Sequence, residues 1–210
     1  LLTGLDSVST RNNALDFLVQ IIVDTDPRLI NGITKIVSEP ETITNTNRFA
    51  SALKFLSEDD FIAPLIAAIS KADVDCSPWL ADYMYALGSL LTDRDDPWEP
   101  EESFVHQLGL WLHSTGGGEI AWKSAIIMSR LLHPLTRDYL VRGALDQELL
   151  HLARIECING IMNFFRSDAN QLLEKLENDP DKEIRKEVAR AQEWLSGHDH
   201  RLVSDAGSNA

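Results

Sequence analysis

Apolar residues recur along this chain at the spacing of a helix rather than of a strand. In DPDKEIRKEVARAQEWL, residues 179–195, Ile184, Val188, Ala191 and Leu195 are four, three and four apart, which puts them on one helical face. Asp179-Pro180-Asp181 ahead of them supplies a turn, a proline tolerated near a helix start and acids suited to the N-terminal dipole. Ser196-Gly197 behind them reads as a stop. The preceding NQLLEKLEND, residues 170–179, is a shorter amphipathic helix. Together they predict a helical hairpin.

That hairpin recurs. A small residue at Ala191 opens AQEWL, with counterparts in CINGI at Cys157, AIIMS at Ala125, ALGSL at Ala86, ALKFL at Ala52 and ALDFL at Ala14. The anchors lie 34, 32, 39, 34 and 38 residues apart. Three positions before each come Val188, Arg154, Trp122, Tyr83, Phe49 and Arg11, four of them large and apolar. AIIMS departs from the pattern by carrying Ser129. The second helices are predicted over 9–24, 44–57, 78–92, 119–132, 147–166 and 181–196. The first helices are predicted over 27–38, 59–71, 100–114, 135–146 and 169–178. Pro, Gly and Asp clusters separate them, and no strand-like alternation bounded by hairpin turns competes. A period of this length in helical sequence means a solenoid. The expected fold is all-α, a right-handed α-solenoid of five to six hairpins forming one domain over 1–196, with 197–210 as a tail outside the array. An irregular α-helical bundle is the alternative.

The last hairpin resembles a HEAT repeat, whose second helix commonly reads D-x-x-[VI]-R-x-x-[AV]-x-x-A. Asp181, Ile184, Arg185, Val188 and Ala191 occupy those places. The resemblance implies structural roles for Asp181 and Arg185, which in that family bond along the stack. The other copies carry His151, Glu119, Leu80, Thr46 and Val8 at the Arg position, so no continuous ladder is expected.

Charge changes the picture of function. The chain carries 33 acids against 19 bases, a net −14. Residues 71–118 alone hold nine acids and two bases, half the net charge in under a quarter of the length. Nucleic-acid affinity comes from Lys and Arg, so a nucleic-acid partner is not expected. A basic protein partner is favoured, and its encounter would be steered. Cys76 and Cys157 stand far apart and outside any C-x-x-C pair, pointing to reduced thiols and a cytoplasmic protein. No apolar run is long enough to span a bilayer, and LLTGLDSVS lacks the regions of a signal peptide. No membrane partner is expected.

Motifs for chemistry are sparse. Glu148-x-x-His151 has the spacing of di-metal bundle sites but occurs once where two copies are needed. His106 and His113 are two turns apart, roughly 10 Å by helical rise. His198-Asp-His200 falls in the tail, and Gly116-Gly117-Gly118 lacks any accompanying phosphate-loop pattern. Cys157 sits at a packing position, and no G-x-S-x-G elbow is present. Neither catalysis, a cofactor nor a metal is expected.

The remaining candidate is TDRDDPWEPEES, residues 92–103. It gathers Asp93, Asp95, Asp96, Glu99, Glu101 and Glu102 around Trp98, with Arg94 the only base. A tryptophan flanked by carboxylates can anchor on a partner while the acids meet its basic patch. The competing account has Trp98 folding back onto the hairpin beneath it. Acidic groups at Glu58-Asp59-Asp60 and Asp73-Asp75 are expected to line one edge with this connector if the array curves. The leading reading is a non-enzymatic protein-binding module, most concretely an immunity or antitoxin-type inhibitor of a basic toxin such as a nuclease. A scaffold or adaptor subunit, and a helical-repeat enzyme such as a DNA glycosylase or cofactor lyase, are the alternatives.

Overall fold

The computed structural model describes residues 27–53, 58–92, 98–114 and 118–206. Within them lie ten α-helices. These are α1 (Pro27–Val37), α2 (Thr46–Leu53), α3 (Glu58–Ile69), α4 (Leu80–Thr92), α5 (Glu102–Ser114), α6 (Glu119–Met128), α7 (Pro134–Leu145), α8 (His151–Phe164), α9 (Arg166–Leu176) and α10 (Lys182–Ala206). A 3₁₀ turn, Pro40–Thr42, joins the first two. No strand occurs among the described residues, only an isolated bridge between Trp98 and Leu131. The fold is an all-α solenoid.

The helices pack in pairs as α3/α4, α5/α6, α7/α8 and α9/α10, with α1 and α2 ahead of them packed on α3 and α4, and each described anchor falls in a second helix of the series α2, α4, α6, α8 and α10. Ala52, Ala86, Ala125, Cys157 and Ala191 are all buried, and the second helices pack closely on one another. Gly160 marks how close: a Cβ there would stand 2.9 Å from the Ser129 Cα. The copy built on Ala14 lies outside the described residues. Ser129, the departure from the pattern, is buried without cost, because its hydroxyl donates to the Ile126 carbonyl at 2.8 Å.

Helix starts follow local chemistry. Pro134 opens α7, and the Nδ1 of His133, the N-cap, accepts the Leu135 N–H at 3.2 Å. α8 begins at His151 rather than 147, because the Asp146 carboxylate and carbonyl hold residues 148 and 149 in a turn. The expected stop at Ser196-Gly197 does not act as one. α10 runs through it to Ala206, with the Ser196 hydroxyl bonded back to the Glu193 carbonyl at 2.9 Å. A glycine inside a helix costs only about 1 kcal/mol, and no proline follows to enforce the end.

One apolar core runs from Ile33 in α1 to Ala191 in α10. The two layers around it differ. The second helices α2, α4, α6, α8 and α10 touch in unbroken succession. Among the first helices, α1 packs on α3 and α5 on α7, while α3 and α5, like α7 and α9, approach less closely. A stack drawn together on one side and splayed on the other must open gaps along the splayed side. Those gaps position the site.

Candidate partner-binding site

The α3/α5 gap is a cleft of about 380 Å³, within the volume range of small-ligand sites. Its α3 wall is Ala63, Ile66, Ala67 and Ser70, and its other wall is Trp98, Glu99, Glu101, Ser103 and Phe104. Small residues make the gap: Ala63 and Ala67 are exposed on α3, whose hydrogen-bond ladder is already interrupted by Pro64. One long contact crosses it, the Gln107 amide donating to the Ser70 carbonyl at 3.4 Å.

Three of the sequence-predicted residues therefore meet in this cleft: Trp98, Glu99 and Glu101. The Trp98 backbone is pinned by its bridge to Leu131, and its side chain is half-buried against the core. Pro100 is buried between exposed Glu99 and Glu101, which turns the carboxylates toward solvent at the mouth. Neither glutamate pairs with a basic side chain among the described residues. Glu102 stands apart in the first turn of α5, 3.4 Å from the His106 Nε2. Asp93, Asp95 and Asp96 lie outside the described residues. The other acidic groups do not share an edge. Glu58–Asp60 open α3, whereas Asp73 and Asp75 follow its last turn, at the opposite end of a helix about 18 Å long.

The motifs examined for chemistry are dispersed. His106 bonds the Tyr139 hydroxyl at 2.8 Å, and His113 sits 3.7 Å from Asp146. Burial and the Arg142 charge hold His113 below the usual histidine range, against the pull of Asp146 and Tyr139. Glu148 lies in the turn before α8, while His151 faces Asp181 at 3.9 Å. The described residues contain no cluster of three or more His, Cys, Asp and Glu able to hold a metal. The Cys157 thiol is pushed up by burial and by Glu156, which Arg154 only partly offsets, the opposite of nucleophile activation. Among the described residues no helix is long and apolar enough to cross a membrane.

Asp181 and Arg185 each hold the turn before α10. The Asp181 carboxylate accepts the Glu183 N–H at 2.8 Å, and the Arg185 guanidinium donates to the Pro180 carbonyl at 3.0 Å. Sequence reasoning missed their neighbour. Arg154, 2% exposed, donates through Nη1 to Asp179 at 3.1 Å, through Nη2 to its other oxygen, and through Nε to the Ala144 carbonyl at 3.0 Å. The signal was present: Arg154 occupies the register where other copies carry Val188, Trp122, Tyr83 and Phe49. A charge in an apolar register demands a buried partner. Burial raises the Asp179 pKa, but the Arg154 hydrogen bond, the Asp181 N–H and the Arg154 and Arg185 charges outweigh it and hold the carboxyl below its ordinary range.

A comparison with solved structures finds the same architecture elsewhere. A designed armadillo repeat protein, solved in complex with the peptide (KR)4, matches 91% of this chain and 96% of its own at a TM-score of 0.58 and 13% identity. This chain is a helical repeat protein. No protein-family model matches the sequence, and neither does any curated relative. The likeness carries the fold alone.

Proposed function

We propose that the chain is a non-enzymatic protein-binding module that captures a basic partner, with the acidic connector 92–103 and the cleft beneath it as the docking site. The observation carrying this reading is the meeting of Trp98, Glu99 and Glu101 around an open cleft, with no basic side chain of the described residues on either carboxylate. The connector belongs to the segment with nine acids and two bases. The structural neighbour's own ligand is a lysine–arginine peptide, which supports a cationic target by analogy. In its most concrete form the module is an immunity or antitoxin-type inhibitor in the cytoplasm. It presents carboxylates to the cationic groups with which a toxin such as a nuclease holds phosphate. The two-helix unit and the motif from Asp181 to Ala191 favour the HEAT-like class among helical repeats.

The adaptor reading asks for an apolar patch at an end of the array. The most exposed leucines among the described residues, Leu110, Leu150 and Leu152, lie on α5 and around the start of α8, inside the array.

The test is capture from native lysate at low and high salt, with the captured partner assayed for nuclease activity with and without the chain. A basic partner, released by salt and inhibited when bound, supports the reading. Neutralising Asp93, Asp95, Asp96, Glu99, Glu101 and Glu102 together should slow association. Unchanged affinity in that variant would remove the connector from the interface.

A further inference from the structure

Resting on the basic-partner reading, we infer that the α3/α5 cleft receives a single arginine side chain of the partner. Its aliphatic stem lies along Ile66, Ala67 and Phe104, and its guanidinium sits between Glu99 and Glu101. Three observations meet here. The walls are apolar and built from small residues, leaving about 380 Å³ open, room for a long unbranched side chain that buries its methylenes and keeps its charge at the rim. The two carboxylates at the mouth have no cation of the described residues. Ser70, whose carbonyl accepts the long Gln107 contact, lines the same cleft from the α3 side.

The chain itself shows how such a gap is filled. At the other splayed junction, Arg137 of α7 reaches Asp168 of α9 with Nε and Nη2 at 2.8 and 2.7 Å, one guanidinium bonded to both carboxylate oxygens. On α9 the Arg166 guanidinium lies 4.7 Å over the Trp194 ring of α10. Carboxylate fork and indole are the two surfaces a guanidinium prefers. The α3/α5 cleft offers carboxylates and Trp98 together and has no arginine among the described residues. Lysine, a compact and strongly hydrated charge, exploits neither the fork nor the ring as well. The backbone bridge from Trp98 to Leu131 holds that wall in place before binding, which lowers the ordering cost.

The experiment is calorimetric titration of the full chain with tetra-arginine and tetra-lysine peptides. It is run on the wild type, on Glu99→Gln/Glu101→Gln with the cleft open, and on Ala63→Leu/Ala67→Leu with the acids intact and the cleft filled. Tetra-arginine is expected to bind about tenfold tighter than tetra-lysine, and both variants should lose that difference. Equal affinity for the two peptides overturns the guanidinium assignment. If the filled variant binds like wild type while the neutralised one weakens, the cleft is overturned and the acidic-surface reading survives. If neither variant changes binding, both fall. Both alanines are exposed, so the filled chain should keep its far-UV circular dichroism. If the double variant unfolds, Ala67→Leu alone carries the same comparison.

Discussion

Around α8, α9 and α10 the carboxylates of Asp168 and Asp179 each hold an arginine of the same chain, whereas at the α3/α5 junction Glu99 and Glu101 hold none among the described residues. Both regions belong to the same solenoid, and both sit where successive first helices or their connectors must be bridged. In the C-terminal region the bridge is internal, so the acids there are structural. In the middle region no basic side chain of the described residues bridges the acids, and the gap stays open. Net charge alone therefore misleads: what marks a carboxylate as structural is whether the chain has already placed a cation on it.

The largest expected effect comes from breaking the internal kind. Arg154→Ala leaves Asp179 buried without its counter-charge, a change that costs about 3–5 kcal/mol. Urea unfolding should show that loss with little change in peptide affinity at the distant cleft. A variant as stable as wild type would mean that Asp179 finds water or Arg185 instead, and the contrast between the two regions would lose its structural side.

The same pair gives a pH signature. Its folded-state pKa is depressed, so the stability contributed by Asp179 is present above the unfolded carboxylate value, about 3.9, and is lost as pH falls through the folded value. Acid unfolding of the wild type should show that loss, and Arg154→Met should flatten it by removing the cation that depresses the pKa. An acid limb of equal steepness in both proteins would assign the dependence to other carboxylates.

How much of this was legible beforehand follows from the kind of signal each feature leaves. The hairpins and their period were readable because the small anchors Ala52, Ala86, Ala125, Cys157 and Ala191 mark a close approach that every repeat must solve in the same way. Trp98, Glu99 and Glu101 were readable as a charged, aromatic connector. The cleft was not, because it comes from two exposed alanines on α3, some thirty residues away, and from a splay set by the stacking of whole helices. Nor was the end of α10, where a Ser-Gly pair resembles a stop but neither residue forces one. Arg154 left a mark in the register, yet its partner lies 25 residues away in a turn, and no local period connects the two.

A smaller effect on stability, and a large one on binding, is expected from Glu99→Gln/Glu101→Gln. Both side chains are exposed and without a cation of the described residues, so the melting midpoint should not move measurably. Association with a basic partner should slow, and its dependence on salt should weaken. A clear drop in midpoint with unchanged binding would reclassify these two acids with the structural ones.

The finest test converts one region into the other. Arg137 is close to half exposed, and Asp168, whose carboxyl is held below its ordinary range chiefly by the Arg137 hydrogen bond, sits in the first turn of α9. Exposed pairs of this kind contribute little to stability, so Arg137→Ala should lower the midpoint far less than Arg154→Ala does. It also removes the side chain that spans the α7/α9 gap, leaving a carboxylate without its arginine at a splayed junction, the condition inferred to recruit one at α3/α5. Tetra-arginine titrated into the Arg137→Ala chain should then show a second, weaker site that the wild type lacks, and Arg137→Lys, which keeps a charge over Asp168, should not. If Arg137→Ala binds the peptide with wild-type stoichiometry, an unpaired acid at a gap is not sufficient. The cleft at α3/α5 would then owe its selectivity to Trp98 and the depth of its apolar walls.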